Sequence, residues 1–134
     1  MDELRADASV FLFGALGYPA LEILWRGYTH PTMALAGGVC AVALFRINRA
    51  FAAGSLLLRL FASGAAITLT ELIFGVTFNL ALGMEVWDYS DLPLSLLGQI
   101  CLPYALLWCL LSLPFCLFFA RAARRRFVPN TGQE

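Results

Sequence analysis

The chain has 134 residues, of which 60% are apolar and only 13% charged, against roughly 45–50% and 25% in an ordinary soluble domain. Nine arginines balance nine carboxylates, with no lysine, which excludes a basic nucleic-acid binder and an acidic disordered chain alike. The apolar residues form long blocks rather than the short stripes of a soluble core, so the fold class is all-α, a polytopic membrane protein with four transmembrane helices.

The first block runs from about Ala8 to Trp25. It follows Asp2, Glu3, Arg5 and Asp7 instead of a basic leader, and it ends in Glu22, Trp25 and Arg26 instead of a small-residue cleavage site, so it reads as a retained span. The second begins at Pro31, suited to a first helical turn, and runs to about Ile47; its shortness leaves open a re-entrant segment. The third covers about 60–82. The fourth covers about 94–120, with kinks expected at Pro103 and Pro114. Residues 1–121 form one transmembrane domain, and 122–134 are expected to be a basic, then disordered, cytoplasmic tail.

Four spans place Arg5, Arg46, Arg49, Arg59, Arg121 and Arg124–Arg126 on one side and leave only Arg26 on the other. The positive-inside rule then puts both termini in the cytoplasm of a multi-pass cell-membrane protein. The Arg124–Arg126 run reads as a topology anchor, or alternatively as a contact for anionic lipid. Cys40, Cys101, Cys109 and Cys116 lie inside apolar blocks without a Cys-x-x-Cys pair, so no disulfide framework or metal site is expected, and nothing calls for a cofactor.

Ionisable residues at membrane depth need a partner, water or a purpose. In the third span Gly64, Thr68, Glu71, Gly75 and Asn79 share a stripe about 80° wide at 100° per residue. Such a stripe must face protein or a polar cavity. In the first, Tyr18, Glu22 and Arg26 share a face at four-residue spacing, so Glu22 and Arg26 can pair, or Arg26 can reach across to Glu71. Two acids and one base in a small interior make either a proton site or an ion-pair network that sets helix register.

Two connecting segments, Arg26-Gly-Tyr-Thr-His-Pro31 and Glu85-Val-Trp-Asp-Tyr-Ser-Asp91, carry aromatic residues suited to a membrane interface. His30, Trp87, Asp88 and Tyr89 there either anchor the interface or line a polar mouth. Asp88 can cap the next turn, pair with Arg26 or meet His30. Gln99 is placed at the same mouth, whereas Tyr104, Trp108 and Ser112 read as packing.

Gly17-Tyr18, Glu22, Arg26-Gly27, Thr70-Glu71, Gly75, Trp87-Asp88-Tyr89-Ser90, Gly98-Gln99-Ile100-Cys101-Leu102 and Trp108 together resemble the small membrane-protein family described as Putative ABC-transporter type IV. The resemblance spans roughly residues 14–115, and Trp-Asp-Tyr-Ser is its most specific element. In many members the segment after Arg-Gly is longer, with a Gly-Pro and a Pro-Ile-Tyr-Gly element; here it is His30-Pro31-Thr32-Met33 leading to Gly37-Gly38. The resemblance implies a transport component and picks out Glu22, Arg26, Glu71, Trp87, Asp88 and Tyr89.

Three function classes stand beside one another. A transporter or permease-like component would line its cavity with Glu22, Arg26 and Glu71, work in the bilayer as a homo-oligomer or with other membrane subunits, and take ATP energy from a separate ATPase chain, since without lysine this chain has no P-loop. A non-catalytic interaction or regulatory subunit would use its glycine faces. An intramembrane enzyme would need a pair such as Glu22 with His30; Glu22-Ile-Leu-Trp-Arg26 faintly resembles the Glu-Glu-x-x-x-Arg motif of CAAX-type membrane proteases, with Leu21 in place of the first Glu. No catalytic residue is assigned.

Overall fold

The computed structural model describes residues 1–126, with side chains to 121. The expected tail, 122–134, therefore lies largely outside the described residues. The order is α1 (Asp2–Arg26), α2 (Pro31–Ala50), α3 (Leu56–Phe74, extended by a wider turn over Gly75–Ala81), α4 (Leu102–Leu111) and α5 (Leu113–Arg126). Among the described residues, four stretches are long and apolar enough to cross a membrane: Asp2–Arg26, Pro31–Ala50, Leu56–Ala81 and Leu102–Arg121. The second is a full 20-residue helix, about 30 Å at 1.5 Å per residue, which is long enough to cross.

Local chemistry sets the helix ends. Gly27 closes α1 in the left-handed conformation (φ 80°), its N–H donating to Ile23 O, where a Cβ would be strained. His30 Nδ1 accepts from Thr32 N ahead of Pro31, and Ser55 Oγ accepts from Leu58 N at the start of α3. The helix that crosses last is interrupted at Ser112, two residues before Pro114, which lacks an N–H for the ladder. Pro103 sits in the first turn of α4 and caps rather than kinks.

The expected span over 94–120 is corrected at its start. Residues 82–101 are irregular and fold back against the bundle, with positive φ at Gly83, Glu85, Leu94, Leu97 and Gly98. Leu94, Leu96 and Leu97 are apolar because they point outward, not because they are helical. Such backbone is tolerated at membrane depth only when its polar groups are satisfied. Here Tyr89 N donates to Gly98 O at 2.7 Å and Leu96 N to Ile100 O at 2.8 Å.

Polarity runs opposite to that of a soluble bundle. The buried residues include Asn48, Arg59, Ser63, Thr70, Asn79, Gln99 and Ser112, while leucines and phenylalanines cover the outside. That is the arrangement lipid requires. Arg59, expected in a loop, lies in the second turn of α3, 5% exposed, with Nη1 donating to Cys116 O. Arg46 and Arg49 pair with Asp7 and Glu3 of α1, and all four cysteines are free.

Two glycines set the approach of α1 to α2. A Cβ on Gly14 would stand 2.2 Å from Gly37 O, and one on Gly37 would stand 2.4 Å from Gly14 O. On the same helix as Gly14, Gly17 has open space around it. Gly14→Ala is therefore expected to destabilise the protein by about 1–3 kcal/mol through overpacking, and Gly17→Ala to leave it unchanged or slightly stabilised. Thermal unfolding in mild detergent checks both; equal effects would contradict the close crossing.

Candidate functional site

Three helices and the folded-back segment meet around one cavity. Tyr18, Glu22 and Arg26 come from α1, Met33, Ala36 and Cys40 from α2, Ile67, Thr70, Glu71 and Phe74 from α3, and Trp87 and Tyr89 from the segment after it. The four-residue spacing on α1 delivers its three residues to a common face. The enclosed free space is about 40 Å³, room for a few water molecules.

The charged groups divide into two sets. Arg26 Nη2 lies 3.2 Å from Glu22 Oε2, which also accepts from Thr29 Oγ1 at 2.9 Å. The same guanidinium lies over the Tyr28 ring, 4.5 Å from its centroid. Arg26 thus serves Glu22, not Glu71, and its Nε is buried without a partner. Glu71 is held by neutral donors: Trp108 Nε1 donates to Oε2 at 2.8 Å and Tyr89 Oη to Oε1 at 3.3 Å. The Tyr89 ring stacks on Tyr104, centroids 4.7 Å apart, and Tyr104 in turn lies beside Trp108, so both donors are fixed from α4.

A second polar cluster pins the segment to the end of α3. Asn79 Nδ2 donates to Gln99 Oε1 at 2.7 Å and Asn79 Oδ1 accepts from Val86 N at 2.7 Å. Trp87 Nε1 donates to Gln99 O at 3.0 Å, and Gly75 leaves the space that Gln99 fills. Asp88 is exposed and caps the turn: its Oδ1 accepts from Ser90 N at 2.9 Å and from Ser90 Oγ. Those hydrogen bonds hold the Asp88 carboxyl below the usual carboxylate range.

Of the residues singled out in the sequence, Tyr18, Glu22, Arg26, Glu71, Trp87 and Tyr89 line the cavity. Asn79 and Gln99 support the segment that closes it. Asp88 caps rather than pairing with Arg26. His30 is apart, its Nδ1 2.8 Å from Thr32 Oγ1. In the α3 stripe, Gly64 packs on Cys109, and Thr68 lies in a different, apolar groove between α3 and α4. Trp108, read as packing, is a ligand of Glu71; an indole N–H inside a span needs an acceptor, and that need was the available signal. Thr29 and Cys40 carried none.

The family described as Putative ABC-transporter type IV matches residues 22–132, 111 of the 134 positions. The chain belongs to that family. The match starts later and ends later than the resemblance in the sequence, and it includes Glu22, Arg26, Glu71, Trp-Asp-Tyr-Ser and Gln99. No curated protein and no solved structure matches the chain. With four apolar helices, membership of the type IV family makes this a transporter-related membrane protein.

Removing a donor from a buried carboxylate costs about 1.5–3 kcal/mol. Trp108→Phe should therefore lower thermal stability by that order, and adding Glu71→Gln should recover part of the loss by removing the buried charge. Additive losses in the double variant would show that Trp108 and Glu71 do not interact.

Proposed function

We propose that this type IV family protein is a permease-like transport component whose substrate passes the cavity between α1, α2 and α3. The reading is carried by one observation: the Glu22–Arg26 pair and the separately held Glu71 carboxylate face the same enclosed space. Ionisable groups turned toward a cavity inside a bundle are characteristic of substrate and proton pathways. The pair can open or exchange partners as a substrate enters, and Glu71 can gain or lose a proton without a fixed cation beside it.

Both termini are assigned to the cytoplasmic face of the cell membrane by the arginine distribution. Four helices enclose little volume, so the working form is an oligomer or a complex with other membrane subunits. Energy from ATP would come from a separate ATPase chain, because a lysine-free sequence has no P-loop. The interaction-subunit reading draws less support: Gly14, Gly37, Gly64 and Gly75 are all used in packing within the chain.

Cys40 lines the cavity, whereas Cys101 and Cys116 are buried away from it. In proteoliposomes, hydroxyl radicals generated from water by X-ray pulses, small enough to form inside the cavity, should oxidise Cys40 and spare Cys101 and Cys116, as mapped by mass spectrometry of the peptides. A dry ion-pair network that only holds the helices together leaves Cys40 unoxidised, and that result would overturn the transport reading.

A further inference from the structure

The cavity has two polar needs that the chain leaves unmet. Glu71 accepts one hydrogen bond at each oxygen, both from neutral donors, while an ionised carboxylate offers about four acceptor positions. No cation among the described residues pairs with it. Arg26 also lines the cavity, and its Nε–H is buried without an acceptor. An isolated charge in such surroundings favours a counter-charge, and an isolated donor favours an oxygen. With Glu22 neutralised by Arg26, ionisation of Glu71 leaves the site with one uncompensated negative charge. Tyr18, Trp87 and Tyr89 add aromatic walls, which attract cations through their ring faces.

We propose that this cavity takes a small primary amine bearing a hydrogen-bond-accepting oxygen, with its ammonium against Glu71 and its oxygen at Arg26 Nε. The inference rests on the cavity being a substrate site and names the substrate class. Free space of about 40 Å³, a few waters' worth, limits the occupant to a handful of heavy atoms. Binding of so small a ligand is about millimolar. No covalent step is involved. The ammonium replaces water at Glu71, and the oxygen supplies the acceptor that Arg26 lacks.

The test uses the full chain in lipid nanodiscs with four probes: ethanolamine, ethylamine, ethylene glycol and acetate. Trp87 is in the cavity wall and Trp108 holds Glu71, so tryptophan emission reports occupancy, with calorimetry alongside. Ethanolamine should bind saturably, ethylamine about three- to tenfold more weakly for want of one hydrogen bond, and ethylene glycol and acetate not at all. Arg26→Lys keeps a charge for Glu22 but has no Nε–H, so ethanolamine should lose its advantage over ethylamine while both still bind. Glu71→Gln should abolish amine binding.

Acetate binding as well as the amines would overturn the inference, and so would amine binding that survives Glu71→Gln. The wild-type probe series stands even if a variant fails to fold. Amines that do not bind while Cys40 is oxidised by radicals formed in the cavity water would sink this substrate class and leave the transport reading intact; Cys40 left unoxidised would sink both.

Discussion

A carboxylate in the middle of a membrane span is the constraint from which most of this structure follows. Glu71 cannot face acyl chains, and no arginine among the described residues is paired with it. Its stabilisation comes from an indole on α4 and a phenol on the segment after α3. That solution dictates where the segment goes. Tyr89 must return to Glu71, so residues 82–101 lie against the bundle, burying Val86, Gly98, Gln99 and Cys101 while much of the rest stays exposed. The backbone groups turned inward need internal partners: Val86 N finds Asn79 Oδ1 and Tyr89 N finds Gly98 O.

The Trp-Asp-Tyr-Ser element makes sense in these terms. Trp87 ties the segment to Gln99 O, Asp88 and Ser90 form its turn, and Tyr89 reaches the carboxylate. Gly98 is part of the same device, since a Cβ there would meet Ser90 Oγ at 2.6 Å. The motif is therefore a clamp that closes one wall of the cavity, and only Trp87 and Tyr89 also present surface to its interior. On the opposite wall the Gly14–Gly37 crossing lets α1 lie close enough for Tyr18, Glu22 and Arg26 to share that interior.

Much of this was legible in the sequence because lipid is an unforgiving solvent. Blocks of apolar residues mark the spans, and an intramembrane Glu71 announces an interior face whatever the partners are. The four-residue spacing of Tyr18, Glu22 and Arg26 carries directly into shared geometry. The start of the last span was not legible, because Leu94, Leu96 and Leu97 have the composition of a helix in lipid while Gly98 and neighbouring positive-φ residues take the chain elsewhere. The partner of Glu71 was not legible either. Helical phase says which way a side chain points along its own axis, but the meeting of Trp108 with Glu71 depends on how α4 docks after an irregular segment. Arg59 shows the same limit: counted as a loop charge, it is buried against Cys116 because the α2–α3 turn is short.

The most direct measurement of the central claim is nuclear magnetic resonance of the three indole N–H groups in selectively ¹⁵N-tryptophan-labelled protein. Trp25 is 83% exposed, while Trp87 and Trp108 donate to Gln99 O and to Glu71. The account predicts that the Trp108 indole proton exchanges slowly with water and that its resonance moves markedly in Glu71→Gln, with Trp25 unmoved. A Trp108 signal that exchanges as fast as that of Trp25 and ignores the loss of the carboxylate would contradict it.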